Sequence, residues 1–191
     1  MPGITRIEIT NPLLGRGAYR FSQSAAYHLY ANRLYRRIFE VLNMPLAEGD
    51  ENLKCTKDEF IAGFDYALGI DVIFRLQSGK ELTLQEKFLF TKWNTVTVEY
   101  MQNPLTGEQG DWFKMKTQLY FVGYAYEDKR RFNNWVLLDW TRVQMATEQG
   151  LINWEERQNK NDGAKATFRY SPMFDFPIDC VVYSSRLAVA K

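Results

Sequence analysis

The chain is poor in the residues that most often carry catalysis and cross-linking: one histidine, His28, and two cysteines, Cys55 and Cys180. A single imidazole excludes histidine-rich zinc sites and any mechanism that needs two. A Ser-His-Asp hydrolase would have to use His28, and there is no G-x-S-x-G elbow to accompany it. His28 lies in SAAYHLYANRLYRRIFEVL, where an imidazole on a helix reads as structural. The two cysteines fit neither a C-x-x-C knuckle nor a dense disulfide framework, and two buried thiols are expected.

Charge of one sign is also lacking. Twenty-four Lys and Arg face 23 Asp and Glu, a formal charge of +1, so no bulk excess draws the chain to nucleic acid or membrane. Any basic surface is local, with Arg33, Arg36, Arg37, Lys129, Arg130 and Arg131 the densest positions. Such runs are usually solvated faces. The start, MPGITRIEIT, has no apolar h-region, and no stretch approaches the roughly 18 uninterrupted apolar residues of a membrane span. A cytoplasmic protein in a reducing compartment, without a membrane partner, is the expectation.

What is present suits one globular domain over 1–191. Hydrophobic residues make up 46% and charged residues 25%, enough to build a core without staples. Residues 22–42 read as a helix: Ser22 is the N-cap, and Ala26, Leu29, Tyr30, Leu34, Ile38 and Leu42 recur at three- and four-residue spacing. Asn43-Met44-Pro45 ends it. Strands are expected near 60–67, 70–76, 80–90 and 95–101, where the period falls towards 2. PLTGEQGD is a turn, and FKMKTQLYFVGYAYE mixes both periods. NWVLLDW reads as a buried strand, TRVQMATEQG as a helix stopped by Gly150, and residues 166–171 and 178–184 as final strands.

The segment GIDVIFRLQSGKELTLQEKFLF, residues 69–90, holds two alternating strands whose register can be derived. A two-residue loop at Ser78-Gly79 would pair Ile73 with Leu84 and Phe74 with Thr83, mixing apolar and polar partners on both faces. A three-residue loop, Gln77-Ser78-Gly79, instead pairs Val72 with Leu84 and Phe74 with Leu82 on one face. The other face then pairs Arg75 with Glu81, Ile73 with Thr83, and Asp71 with Gln85. Slipping by one residue flips every side chain, so the second register is expected. Asp71 and Gln85 become cross-strand neighbours, about 5 Å apart at Cβ, with Lys87 further along their face.

A carboxylate and an amide carbonyl are hard oxygen ligands for a divalent cation, completed by waters and phosphate oxygens. Lys87 beside them suits activation of a water or charge stabilisation on a phosphate. Asp71, thirteen intervening residues and then Gln85-Glu86-Lys87 resemble the PD-(D/E)xK, or restriction-endonuclease-like, nuclease superfamily. In that family the aspartate begins the second core strand and the triplet lies in the third. Ile70 stands where the name shows proline, and Gln85 where Asp or Glu is usual, as in the QxK variant. The resemblance implies a three-layer α/β fold with a central mixed sheet flanked by helices, the 22–42 helix on one side and the 141–149 helix on the other.

It also implies a metal-dependent endonuclease that cleaves DNA with Mg²⁺ or Mn²⁺, with Asp71 and Gln85 as metal ligands and Lys87 completing the catalytic set. Many family members add a glutamate from the first helix, a place only Glu40 fills. Glu86 is an alternative acid, though its parity groups it with Leu82 and Leu84. Arg33, Arg36 and Arg37 become DNA contacts, and a homodimer is a further expected partner for cutting both strands. Glu99 and Lys116 flank the site if their strands neighbour the hairpin.

Blander alternatives stand beside this one. Asp71, Gln85 and Lys87 are otherwise the polar face of a half-exposed sheet. Loss of the acid at Gln85 fits a catalytically inactive nuclease fold that binds nucleic acid or protein. The many aromatics, among them Tyr120, Phe121, Tyr124 and Tyr126, fit a small-ligand-binding α+β protein, base stacking or simple core packing. Gly15-Arg16-Gly17 lacks the rest of a dinucleotide fingerprint and reads as a turn.

Overall fold

The computed structural model describes residues 27, 30–47, 53–54, 68–90, 93–125, 131–159 and 166–189. The expected N-cap Ser22, His28, Cys55, Tyr126, the Gly15–Gly17 turn and the strand expected near 60–67 lie outside them.

The first helix covers 30–41. Its buried stripe is Ala31, Tyr35, Ile38 and Phe39, preceded by Tyr27. This is one position round from the stripe expected through Tyr30 and Leu34, because the Tyr35 and Phe39 rings pack edge-on against Phe74. Asn43 closes the helix with φ 56°: its N–H donates to Glu40 O at 3.0 Å, and that of Met44 to Phe39 O at 2.8 Å. Both late carbonyls are thereby satisfied, and Pro45 prevents continuation.

Among the described residues ten strands follow: β1 (Leu53–Lys54), β2 (Val72–Arg75), β3 (Glu81–Leu89), β4 (Thr95–Asn103), β5 (Glu108–Gln109), β6 (Leu119–Ala125), β7 (Phe132–Asp139), β8 (Glu155–Gln158), β9 (Thr167–Pro172) and β10 (Val181–Ser184). They form two sheets, a six-stranded one in the order β1-β2-β3-β6-β7-β10 and a four-stranded one in the order β5-β4-β9-β8. The large sheet is mixed: β3 and β6 are parallel, and its other pairs are antiparallel. A parallel pair needs a crossover. Here it is made by β4, β5 and a short helix, Asp111–Lys114.

Alternation along the strands separates two cores. Val72, Phe74, Leu82, Leu84, Phe121 and Leu137 face the first helix. Tyr120, Val122, Tyr124, Val136 and Leu138 face the other way, onto Val96 and Val98 of β4 and onto the Trp140–Glu148 helix. That helix is on the expected side, but it shares the layer with the four-stranded sheet, so the chain is mixed α/β with two sheets and few helices. The difference comes from β4, which leaves the large sheet instead of extending it. Tyr120 and Tyr124 hold β4 in place, donating hydroxyl protons to Thr97 O and Thr95 O at 2.8 Å each.

Asp139 caps the second long helix by accepting the Arg142 N–H at 3.0 Å, and Gly150 (φ 71°) follows its end as expected. The final strand is shorter than expected: Ile178–Cys180, after Pro177, form a 3₁₀ turn. Cys180 is buried, and burial pushes its thiol up. Among the described residues, no helix is long and apolar enough to cross a membrane.

Candidate active site

The hairpin has the three-residue loop. Val72 pairs with Leu84, Ile73 with Thr83, Phe74 with Leu82 and Arg75 with Glu81. Leu76 N donates to Lys80 O and Gly79 N to Leu76 O, both at 2.8 Å, and Gly79 has φ 82°. A left-handed residue is what this bulged turn requires, and glycine takes it without steric cost.

Asp71 lies one residue before β2. Its N–H donates to Leu84 O at 2.8 Å, and its Oδ2 accepts the Glu86 N–H at 2.6 Å. It is thus held by the backbones of Leu84 and Glu86, the two residues that flank Gln85. Its carboxylate has turned into the sheet to replace a backbone acceptor, rather than standing up from the face. Strong acceptors at such a position also hold the strand end in register.

The triplet divides between the two faces. Glu86 points to the first helix, buried, where Tyr35 donates its hydroxyl proton to Glu86 Oε1 at 2.8 Å. Burial, then the charge and hydrogen bond of Glu86, then Asp71, push the Tyr35 phenol well above its ordinary range. On the opposite side of the sheet Tyr120 is pushed up by burial, then by Asp111 and Asp71.

Gln85 and Lys87 occupy the face towards β4 and β9, adjacent to Tyr120 and Val122 of β6. Gln85 Oε1 is buried and has no hydrogen-bond partner among the described residues. A Cβ on Gly69 would stand 3.2 Å from that oxygen and 2.5 Å from Met115 Cγ, and Gly69 has φ 59°. Glycine there lets the chain close over Gln85. Lys87 Nζ lies 6.0 Å from the Phe168 ring centroid.

Glu99 of β4 joins this side. Its carboxyl is held above the ordinary glutamate range by burial and then by Asp111, with Lys87 and Lys114 pulling it down. Gly110, where a Cβ would come within 2.6 Å of Glu99 O, lets the Asp111 helix turn approach. Glu99 was foreseeable only on condition that β4 neighboured the hairpin; its signal was the Thr95, Thr97, Glu99 parity opposite Val96 and Val98. Asp111 gave no signal in the sequence, since only the fold brings its turn to β4.

Other sequence candidates are not brought here. Arg33, Arg36, Arg37 and Glu40 are exposed on the first helix, which covers the opposite face of the large sheet from Gln85 and Lys87. Glu86 is separated from those two by the sheet itself. Lys116 is exposed, though its N–H donates to Leu68 O at 2.8 Å beside the hairpin's start. Tyr120, Phe121 and Tyr124 are core residues.

The donor set left at the strand end is one carboxylate, Asp71, and one orphaned amide oxygen, Gln85 Oε1. Both are hard ligands, of the kind Mg²⁺ or Mn²⁺ takes together with water and phosphate oxygens. Among the described residues, no three His, Cys, Asp or Glu side chains form a metal-holding group. No family model matches the chain, and neither does any curated protein or solved structure to which it was compared.

Proposed function

We propose that the chain is a metal-dependent nuclease of the restriction-endonuclease-like kind, hydrolysing DNA phosphodiester bonds at Asp71, Gln85 and Lys87. The observation that carries this is Gln85 Oε1. Leaving a buried acceptor unpaired costs about 1–3 kcal/mol, so such an atom calls for a partner, which an ordered water or a bound cation supplies. Its place supports the same conclusion: the aspartate precedes the second strand of a mixed sheet and the triplet lies in the third, as in the family that the motif resembles.

Asp71 and Gln85 would hold the cation, which supplies positive charge to a phosphate oxygen and acidity to water. Asp71 is fixed for this by the Glu86 N–H. Lys87, on the face of Gln85, balances charge that develops on the phosphoryl oxygens. Glu86, through its bond from Tyr35, ties the same strand to the first helix.

One observation favours a second function, a nuclease fold that binds without cutting: the single carboxylate at the strand end already serves a backbone N–H, and its partner ligand is neutral. Plasmid DNA incubated with purified protein separates the two. Nicking that needs Mn²⁺ or Mg²⁺ and stops with chelator is expected; DNA binding with no nicking under any divalent cation would favour the inactive module.

A further inference from the structure

We propose that the face of the four-stranded sheet next to Lys87 binds the bases of an unpaired nucleic-acid strand. This deepens the nuclease function above and rests on it for the scissile phosphate, but the binding itself has its own observations.

Strand register fixes what the face carries. Glu99 pairs with Phe168, which pairs with Arg157; Thr97 pairs with Tyr170. Directly paired residues share a face. The opposite parity of β4, Val96 and Val98, goes into the core. Phe168, Tyr170 and Trp93 belong to neither core, and Trp93 is 64% exposed.

Cations stand over these rings. Arg157 Cζ lies 4.7 Å from the Tyr170 ring centroid and 5.6 Å from that of Trp93, while Lys87 Nζ lies 6.0 Å from Phe168. Aromatic faces interleaved with cations are how proteins bind single strands without sequence readout: bases stack on the rings, and phosphates meet the cations. The run of three rings ends at Lys87, so a strand lying on it delivers a phosphate to the candidate active site.

Charge decides between paired and unpaired substrate. Arg157 and Lys87 share the face with Glu99 and with Glu155, which accepts the Tyr170 hydroxyl proton. The local balance is near neutral, as is the formal charge of +1 for the chain. Counterion release, which dominates duplex binding, is therefore small here. Stacking needs base faces, and a duplex hides them.

The experiment is a titration of full-length protein, in chelator, with a short labelled oligothymidylate and with a duplex of the same length. Tighter binding of oligothymidylate is expected, with quenching of tryptophan fluorescence. Trp93→Ala and Tyr170→Ala should each weaken it about fivefold or more, while Tyr170→Phe, which keeps the ring and loses the bond to Glu155, should not. Equal affinity for duplex, unchanged affinity in Trp93→Ala, or no binding of either nucleic acid would overturn the proposal. Mn²⁺ titration of the same variants separates the two claims. Ring-dependent oligothymidylate binding without metal binding leaves this face standing and removes the nuclease function; normal metal binding and nicking without ring dependence does the reverse.

Discussion

Asp71 Oδ2 accepts the backbone N–H of Glu86 at 2.6 Å, so a side chain completes the strand pairing that the backbone of β2 leaves short. Asp71→Ala therefore removes more than a metal ligand: it leaves the Glu86 N–H short of an acceptor, at a cost of about 1–3 kcal/mol. Asp71→Asn keeps an acceptor oxygen and should retain most of that stability while losing the charge that holds a cation. Chemical denaturation of the two variants checks this, with a lower midpoint expected for alanine than for asparagine. Equal midpoints would show that the bond contributes nothing to the fold.

Lys87 is on the Gln85 face, paired with Val122 of β6. Lys87→Ala should leave Mn²⁺ binding nearly intact and slow DNA nicking on the order of 10²-fold or more. Comparable nicking by the variant and the parent protein would remove Lys87 from the chemistry.

Gly69 is required by both its backbone and its neighbours. Its φ of 59° costs a side-chain-bearing residue about 1–2 kcal/mol, and a new Cβ would press on Met115 and on Gln85 Oε1. Gly69→Ala should lower stability by more than that amount, because the clash adds to the backbone strain, and weaken Mn²⁺ binding, because the orphaned oxygen is displaced. Thermal melts with and without Mn²⁺ test both effects, and an unchanged shift on adding metal would separate Gly69 from the site.

Glu99 links stability to pH. Its folded-state pKa is raised, chiefly by burial and then by Asp111, so the folded chain holds its proton more tightly than the unfolded chain does. The associated stability is present below the ordinary glutamate value and is lost as pH rises through the raised one. Glu99→Gln should therefore stabilise the protein near neutral pH and do little in acid. Denaturation midpoints at the two pH values measure this, and the opposite ordering would mean that Lys87 dominates the carboxylate.

Hairpin register was legible because its two faces differ in polarity: Val72, Phe74, Leu82 and Leu84 share one, and a slip would turn one strand's pair away from the other's. The helix at 140–148 was legible as TRVQMATEQG stopped by Gly150, while its cap, Asp139, read as part of the preceding strand. The small sheet was not. Residues 95–103 alternate as any half-buried strand does, and nothing in TVTVEYMQN states which sheet it joins; Tyr120 and Tyr124 decide that from 23 and 29 residues away. For the same reason Glu99 could be placed only conditionally and Asp111 not at all. The in-plane turn of the Asp71 carboxylate was also hidden, since alternation gives a face and not a rotamer.

Gln85 Oε1 is the atom on which the nuclease function depends most, and calorimetric titration of Mn²⁺ into the parent protein, Gln85→Glu and Asp71→Asn tests it most directly. Glutamate adds charge at the same reach. The expected result is weak binding by the parent, tighter binding by Gln85→Glu and none by Asp71→Asn. Absence of heat from both the parent and Gln85→Glu would contradict a metal site at Asp71 and Gln85.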